Sequence, residues 1–179
     1  MNIPNSARLT YRLMDETDVD MLFEIDQDTA VMKYLNDGKP TPMETIVNKF
    51  IPRMNAYRNE QKGWGIWAVF DQSTQVYLGW VLVRPYGFFT DETEFDNLEL
   101  GWRFYSHTWG NGYATEAADH IAEWVTKVDE ITSICALAVP DNLASIQVMK
   151  KLGMEFVKQY IHHDPLGDWD VVYYKKLLS

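Results

Sequence analysis

The stretch Leu98-Glu99-Leu100-Gly101-Trp102-Arg103-Phe104-Tyr105, followed three residues later by Trp109-Gly110-Asn111-Gly112-Tyr113-Ala114-Thr115-Glu116-Ala117, decides how this chain is read. Its first half alternates, with Leu98, Leu100, Trp102 and Phe104 on one face and Glu99, Gly101, Arg103 and Tyr105 on the other, which predicts a strand. From Ala114 the apolar residues Ala117, Ala118, Ile121, Ala122, Val125 and Val128 recur at helical spacing. Two glycines between a strand end and a helix start let successive backbone N–H groups point into one concavity. The helix dipole adds positive potential there, and the combination binds phosphate. The same glycines also fit a tight turn with no ligand. A dinucleotide site of the Rossmann kind fits poorly, because Thr115 stands where that fingerprint has its third glycine. Gly101 within the strand predicts a bulge or a close approach. Placed just before the loop, it suggests a strand that opens to receive an extended ligand arm.

Outward from this segment the chain alternates strands and helices. Arg8 to Met14 reads as an opening strand. Thr17-Asp18-Val19-Asp20 reads as a helix start with an acid three residues after the cap, and Thr41-Pro42-Met43-Glu44 as a second one with proline at the first helical position. Asn36 to Pro40 reads as a loop. Gly65 to Asp71 and Tyr77 to Arg84 form a hairpin by composition. Ser133 to Val139 is a strand buried on both faces, and a helix follows Pro140-Asp141-Asn142 and stops at Gly153. Two strands, Glu155 to Ile161 and Asp170 to Leu178, close the chain around Asp164-Pro165-Leu166-Gly167. The order predicts a mixed α/β sheet in one domain over residues 1–179, with its core at about 8–178.

Composition narrows the function. The chain has 179 residues, 46% of them apolar, enough for a packed core. Its longest apolar run, Ile134 to Val139, is six residues against the roughly 20 of a membrane span. With 16 basic and 26 acidic residues the formal charge is −10, which argues against nucleic acid or an acidic membrane as partner. The single Cys135 excludes an intrachain disulfide and, with no secretory signal in Met1 to Thr10, points to a cytoplasmic protein. Five acids and no Lys or Arg lie between Pro85 and Trp102, a run that reads as a solvated loop or as an attractor of cations. His162-His163 lie on opposite faces of a strand among only four histidines, so no metal is expected. Lys150-Lys151 reads as ordinary surface.

Together, the strand, the glycine loop and Asn142 at a helix start carry a resemblance. Leu98 to Phe104 with Trp109 to Ala117 resembles the acetyl-CoA signature of the GNAT N-acetyltransferase superfamily, in particular the branch with ribosomal-protein N-terminal acetyltransferases. Val139 to Ser145 and Lys151-Leu152-Gly153-Met154 resemble its second block. The resemblance implies a single-domain acyl-CoA N-acyltransferase fold with a partly splayed central sheet and about four helices. It implies acetyl-CoA as co-substrate, its pyrophosphate on the amides of Trp109, Gly110, Asn111, Gly112, Tyr113 and Ala114. It also implies that backbone near Phe104 and Tyr105 pairs with the pantetheine arm, which Asn142 contacts. His107 and Asn111 stand where the family carries Gln or Arg and often Lys, which removes positive charge from the pyrophosphate's surroundings.

Acetyl transfer to an amine needs a proton acceptor, an oxyanion donor and a proton for the departing thiolate. Glu99 is the candidate base, several residues before the loop. The alternative is an ion pair with Arg103, four residues on and about 13 Å along the same strand face. Many relatives protonate the thiolate with a Tyr where this chain has Met149; Ser145, a position at which this branch commonly has serine, is the candidate here and a candidate cofactor contact. Tyr105, Tyr113 and Tyr160 are alternatives. Cys135, mid-strand in an apolar run, reads as inert core. The expected acceptor is a primary amine, a protein N-terminus or a small cationic amine, favoured by the acids from Asp91 to Glu99. The helix-loop-helix from Val31 to Lys49 is expected to wall its site, and the final hairpin offers a surface for a possible homodimer. The competing reading is a non-catalytic acyl-CoA-binding module with a degenerate active site.

Overall fold

A computed structural model describes residues 1–179. Seven strands form one open sheet: β1 (Leu9–Leu13), β2 (Gly65–Asp71), β3 (Tyr77–Tyr86), β4 (Glu94–Phe104), β5 (Ser133–Ala138), β6 (Glu155–Asp164) and β7 (Gly167–Leu177). They lie in the order β1-β2-β3-β4-β5-β7-β6, and only β4 with β5 is parallel. The four helices are α1 (Val19–Ile25), α2 (residues 43–57), α3 (Tyr113–Val125) and α4 (Leu143–Lys151). Helix α2 is composite: Met43–Thr45 and Ile51–Tyr57 are α-helical, and Ile46–Phe50 between them is a π turn.

The alternation read from Leu98 to Tyr105 has a direct consequence in packing. Leu98, Leu100 and Phe104 join the apolar faces of α3 and α4 in one core, where Ile121 and Met149 are fully buried. The opposite face of the sheet, with Ile66, Ala68 and Trp80, packs on Ile25, Ile46 and Met54 of α1 and α2. Glu99, Gly101 and Arg103 therefore face the α1–α2 side.

Several local readings are corrected by competing contacts. Asp18, not Thr17, takes the N-cap position of α1, and its carboxylate binds Arg12 at 2.7 and 2.9 Å instead of capping the helix. Thr41 does not cap α2; Pro42 does, because the Thr41 hydroxyl is buried against Asp26 at 2.6 Å. Strand β4 begins at Glu94, so the second half of the acidic run is strand and not loop: Asn97 donates to Glu94 at 2.8 Å and Thr132 to Asp96 at 2.9 Å. Helix α3 ends at Val125, which leaves Val128 exposed. Gly101 marks no bulge. It pairs in register with Leu82, and the irregularity between β3 and β4 falls at Pro85/Tyr86. No helix is long and apolar enough to cross a membrane.

Candidate active site

The sheet opens where its one parallel pair ends. Strands β4 and β5 pair only at Asn97, Leu98 and Glu99 against Ser133, Ile134 and Cys135. From Leu100 onward β4 keeps β3 as a neighbour and has none on its other side, while β5 continues against β7 to Ala138. A groove of about 330 Å³ leads from this wedge to the glycine loop, with Trp102, Phe104, Trp109, Asn142 and Lys151 among its lining.

The loop is built to present amides. Gly110 and Gly112 both sit at φ 78°, a left-handed conformation that a side chain would disfavour by about 1–2 kcal/mol. The amides of residues 110, 111 and 112 donate to nothing in the protein. Helix α3 starts at Tyr113 with no side-chain cap, so its first-turn amides are equally unmatched. The loop's outer side is tied down. Asn111 Nδ2 donates to the Thr108 carbonyl at 2.8 Å, Trp109 Nε1 to the Phe104 carbonyl at 2.9 Å, and Arg8 Nη1 to the Asn111 carbonyl at 2.9 Å. In a trans peptide the carbonyl and the next N–H point in opposite directions. Holding the Asn111 carbonyl against Arg8 thus turns the Gly112 N–H away from Arg8.

Arg8 is itself aimed by Glu116, which accepts from its Nε at 2.7 Å and its backbone N–H at 2.9 Å. Burial would raise the Glu116 carboxyl, but the bonds from Ser6 and Arg8 outweigh it and hold the group below its ordinary range. Asp28 does the same on the loop's near shoulder: despite burial, donation from the Ser106 hydroxyl at 2.7 Å and its N–H at 2.9 Å keeps the carboxyl low.

Beyond the wedge lies a cleft of about 510 Å³ that shares Leu35, Trp102, Arg103, Asn142 and Ser145 with the groove, so the two adjoin along these residues and together make up the channel. Residues 32–53, the β3–β4 face and the tip of the β6–β7 hairpin form its walls. Three ion pairs lie in or beside it. Arg84 holds both oxygens of Glu99 at 3.0 and 3.1 Å across the β3–β4 register. Arg103 reaches Asp26 at 2.5 Å, and Arg53 reaches Asp164 at 2.9 Å. The carboxylate side chains are only 1 to 11% exposed, so water screens these pairs weakly. Burial alone would lower the Arg84 guanidinium's pKa, but the facing Glu99 more than reverses that and keeps it charged. A chain of hydroxyls also ends in the cleft: Tyr86 and Tyr160 oxygens lie 2.7 Å apart, and Tyr160 lies 3.1 Å from Nδ1 of His162, a lining residue.

The sequence matches the family described as Acetyltransferase (GNAT) domain over residues 8–155. This chain belongs to the GNAT acetyltransferase family. It is 32% identical over 176 residues to the uncharacterized N-acetyltransferase YnaD of Bacillus subtilis (strain 168), covering 94% of this chain and 93% of that protein. The fold is shared with RimL, the ribosomal L7/L12 alpha-N-protein acetyltransferase in complex with coenzyme A, at TM-score 0.74 and 17% identity over 99% of this chain and 98% of that one. It is also shared with the aminoglycoside acetyltransferase AAC(6')-Ib in complex with coenzyme A and kanamycin, at TM-score 0.75 and 19% identity over 94% of each chain.

Within this GNAT channel the expected residues separate into two groups. Phe104, Trp109, Gly110, Gly112, Tyr113, Ala114, Asn142 and Ser145 line the groove together, and Glu99 and Ser145 line the cleft. Tyr105 and His107 line neither. The Tyr105 N–H pairs with the Leu78 carbonyl and its ring packs on Tyr77, while His107 is exposed beside it. Asn111 contributes its peptide to the loop, and its side chain is spent on Thr108 and Trp109. Asn142 caps α4 through Oδ1, accepting from Ser145 at 3.2 Å. Its Nδ2 remains unbonded in the shared part of the channel.

Glu99 does not pair with Arg103: Arg84 stands directly opposite it on β3, and Arg103, four residues on, reaches Asp26 instead. Of the acids from Asp91 to Glu99 only Glu99 lines the cleft, which withdraws the run as an attractor of cations there. Met149 is fully buried in the core, and burial raises the thiol of Cys135 well above its ordinary value. Sequence reasoning missed Arg8 and Lys151, the cations nearest the loop and groove, and the arginines of the cleft. The strand-face pattern that placed Glu99 beside Gly101 also held Arg84, two strand positions from Leu82; pairing the hairpin residue by residue would have found it.

Proposed function

We propose that this one domain, residues 1–179, transfers the acetyl group of acetyl-CoA to a primary amine by direct attack in a ternary complex. The observation that carries the proposal is that two unlike spaces adjoin: a groove lined by unpartnered amides and a cleft that holds a carboxylate beside the open edge of β4. The amides of residues 110–114 bind the pyrophosphate, with Arg8 holding the loop from behind and Lys151 supplying positive charge in the groove that His107 and Asn111 do not. The unpaired edge of β4 from Leu100 to Phe104 accepts the pantetheine arm as an added strand, and Asn142 Nδ2 reaches it from α4.

In the cleft the acceptor enters largely as an ammonium, with only a small fraction neutral near pH 7. Glu99 takes its proton, directly or through a water; a carboxylate has about four lone-pair sites and Arg84 occupies two. The neutral nitrogen attacks the thioester carbonyl, the C–N bond forms as the C–S bond breaks, and a backbone N–H on the open edge of β4 stabilises the developing oxyanion. As the amide forms, the nitrogen loses its second proton; the Ser145 hydroxyl, in the part of the channel common to both spaces, relays it, giving its own proton to the departing thiolate and taking one up, so that it ends neutral. Either a protein N-terminus or a small amine fits as acceptor, and the single buried Cys135 suits a reducing cytoplasm.

The buried Met149, where relatives carry a tyrosine, favours a second reading: an acyl-CoA-binding module without chemistry. Calorimetry with acetyl-CoA and thiol release across a panel of amines and peptide N-termini separate the two. Binding with release supports the transferase, binding without release from any acceptor supports the module, and no binding removes both.

A further inference from the structure

We infer that the acceptor, in addition to its reacting amine, carries a carboxylate, which seats against the stripe of α2 that lines the cleft. The inference rests on the transferase reading above and concerns the acceptor end of the same channel. The cleft lining includes four cations, Lys49, Arg53, Arg84 and Arg103, and two carboxylates, Glu99 and Asp164. Every carboxylate oxygen in or beside it is already engaged. Arg84 holds both oxygens of Glu99; Arg53 and the Leu166 N–H hold those of Asp164; Arg103 and the Thr41 hydroxyl hold those of Asp26.

The donors are not used up. Lys49 meets no carboxylate, and Arg53 and Arg103 each make one hydrogen bond with a group that has five N–H donors. Trp80, 9% exposed and lining the same cleft, has an Nε1–H with no partner at all. Each arginine has its carboxylate, so Lys49 is the one lining charge without an opposite partner, and with the spare N–H groups of Arg53, Arg103 and Trp80 in the same cleft it calls for an oxyanion.

The placement is specific. Thr45, Lys49 and Arg53 recur every fourth residue along α2 and all three line the cleft, across a π turn that interrupts the helix at Ile46–Phe50. Such turns re-aim helix side chains at functional sites. The chain's overall charge of −10 does not set the sign here, because charges farther than about 8 Å are largely screened in physiological salt. What an entering molecule meets is the local excess of cations. A polycation would find no lining carboxylate for its further charges beyond Glu99 and Asp164, both already paired with arginines, and would face Lys49. An amine carrying its own carboxylate satisfies both ends, the amine at Glu99 and the carboxylate at Lys49 and Arg53.

The test compares L-amino acids with the amines left by removing their carboxyl groups, and with spermidine, by thiol release from acetyl-CoA in the native protein and Lys49→Glu. In the native protein kcat/KM for the amino acid exceeds that of its matched amine at least tenfold. In Lys49→Glu this ratio falls by tenfold or more and spermidine improves, while KM for acetyl-CoA stays constant and certifies the fold. A native protein that prefers the matched amine or spermidine, or a ratio that Lys49→Glu leaves in place, overturns the inference while the transferase reading stands. Acetyl-CoA binding without thiol release from any acceptor removes the transferase reading and this inference with it.

Discussion

The groove and the cleft are built by different means. The groove works through main chain: left-handed glycines, a helix start and unpaired amides, exposed to solvent and held from behind by Arg8 and Asn111. The cleft works through side chains: arginines opposite carboxylates that are nearly buried, gathered from the end of α1, from α2, β3 and β4, and from β6. A backbone site tolerates change in its side chains and fails when its φ angles change. A side-chain site fails when one partner of a pair is lost, because the other is then left charged and desolvated. The same channel therefore contains one half suited to an invariant ligand and one half whose specificity can be altered by single substitutions.

That contrast can be broken most forcefully at Glu99. Glu99→Gln keeps size and one of the two bonds from Arg84 but cannot take a proton; kcat is expected to fall about 100-fold or more, the usual contribution of a general base, while the calorimetric affinity for acetyl-CoA holds and certifies the fold. Unchanged turnover would take the base role from Glu99. Arg84→Leu leaves the Glu99 carboxylate buried and unpaired, for an expected loss of about 3–5 kcal/mol, or on the order of 10 °C in Tm by calorimetric melting. Arg8→Ala strikes the groove. KM for acetyl-CoA is expected to rise several-fold, KM for S-acetylpantetheine, which lacks the pyrophosphate, to stay put, and the Tm to move little because the side chain is 45% exposed. An equal effect on both donors would mean that Arg8 acts on the fold and not on the loop.

The smallest effect concerns acid. Asp28 and Glu116 have folded-state carboxyls lowered by their hydrogen bonds, so their contribution to holding the loop is complete above the unfolded carboxylate values of about 4 and is lost as pH falls through the lower folded ones. Acetyl-CoA affinity followed by titration is expected to be flat from pH 7 to 5 and to weaken only below about pH 4. A decline that begins near pH 6 would implicate other groups.

The contrast also explains what could be read from the sequence. The groove was legible because its determinants are local: two glycines two residues apart, a strand before them and a helix after, and Asn142 just before another helix. The sheet's face pattern at Leu98 to Tyr105 likewise named the residues that point toward α1 and α2. Of the cleft's pairs only Arg84–Glu99, across neighbouring strands, could be traced in the sequence; the others join residues 77 and 111 positions apart. Nothing in the local pattern of Asp26 or Asp164 announces an arginine. For the same reason Arg8, 103 residues from the loop carbonyl it holds, read as part of an opening strand and no more. The acidic run misled in the opposite way. Its density in sequence was plain, but Asp91 and Glu92 lie before β4, and of the acids on β4 only Glu99 lines the cleft.

The most direct measurement is an amide NMR titration of the protein with coenzyme A and, separately, with pantetheine. The backbone signals of Gly110, Asn111, Gly112, Tyr113 and Ala114 should shift with coenzyme A and stay in place with pantetheine, while those of Leu100 to Phe104 respond to both. Loop amides that ignore coenzyme A, or that move equally with the phosphate-free arm, would contradict the assignment of the pyrophosphate to this turn.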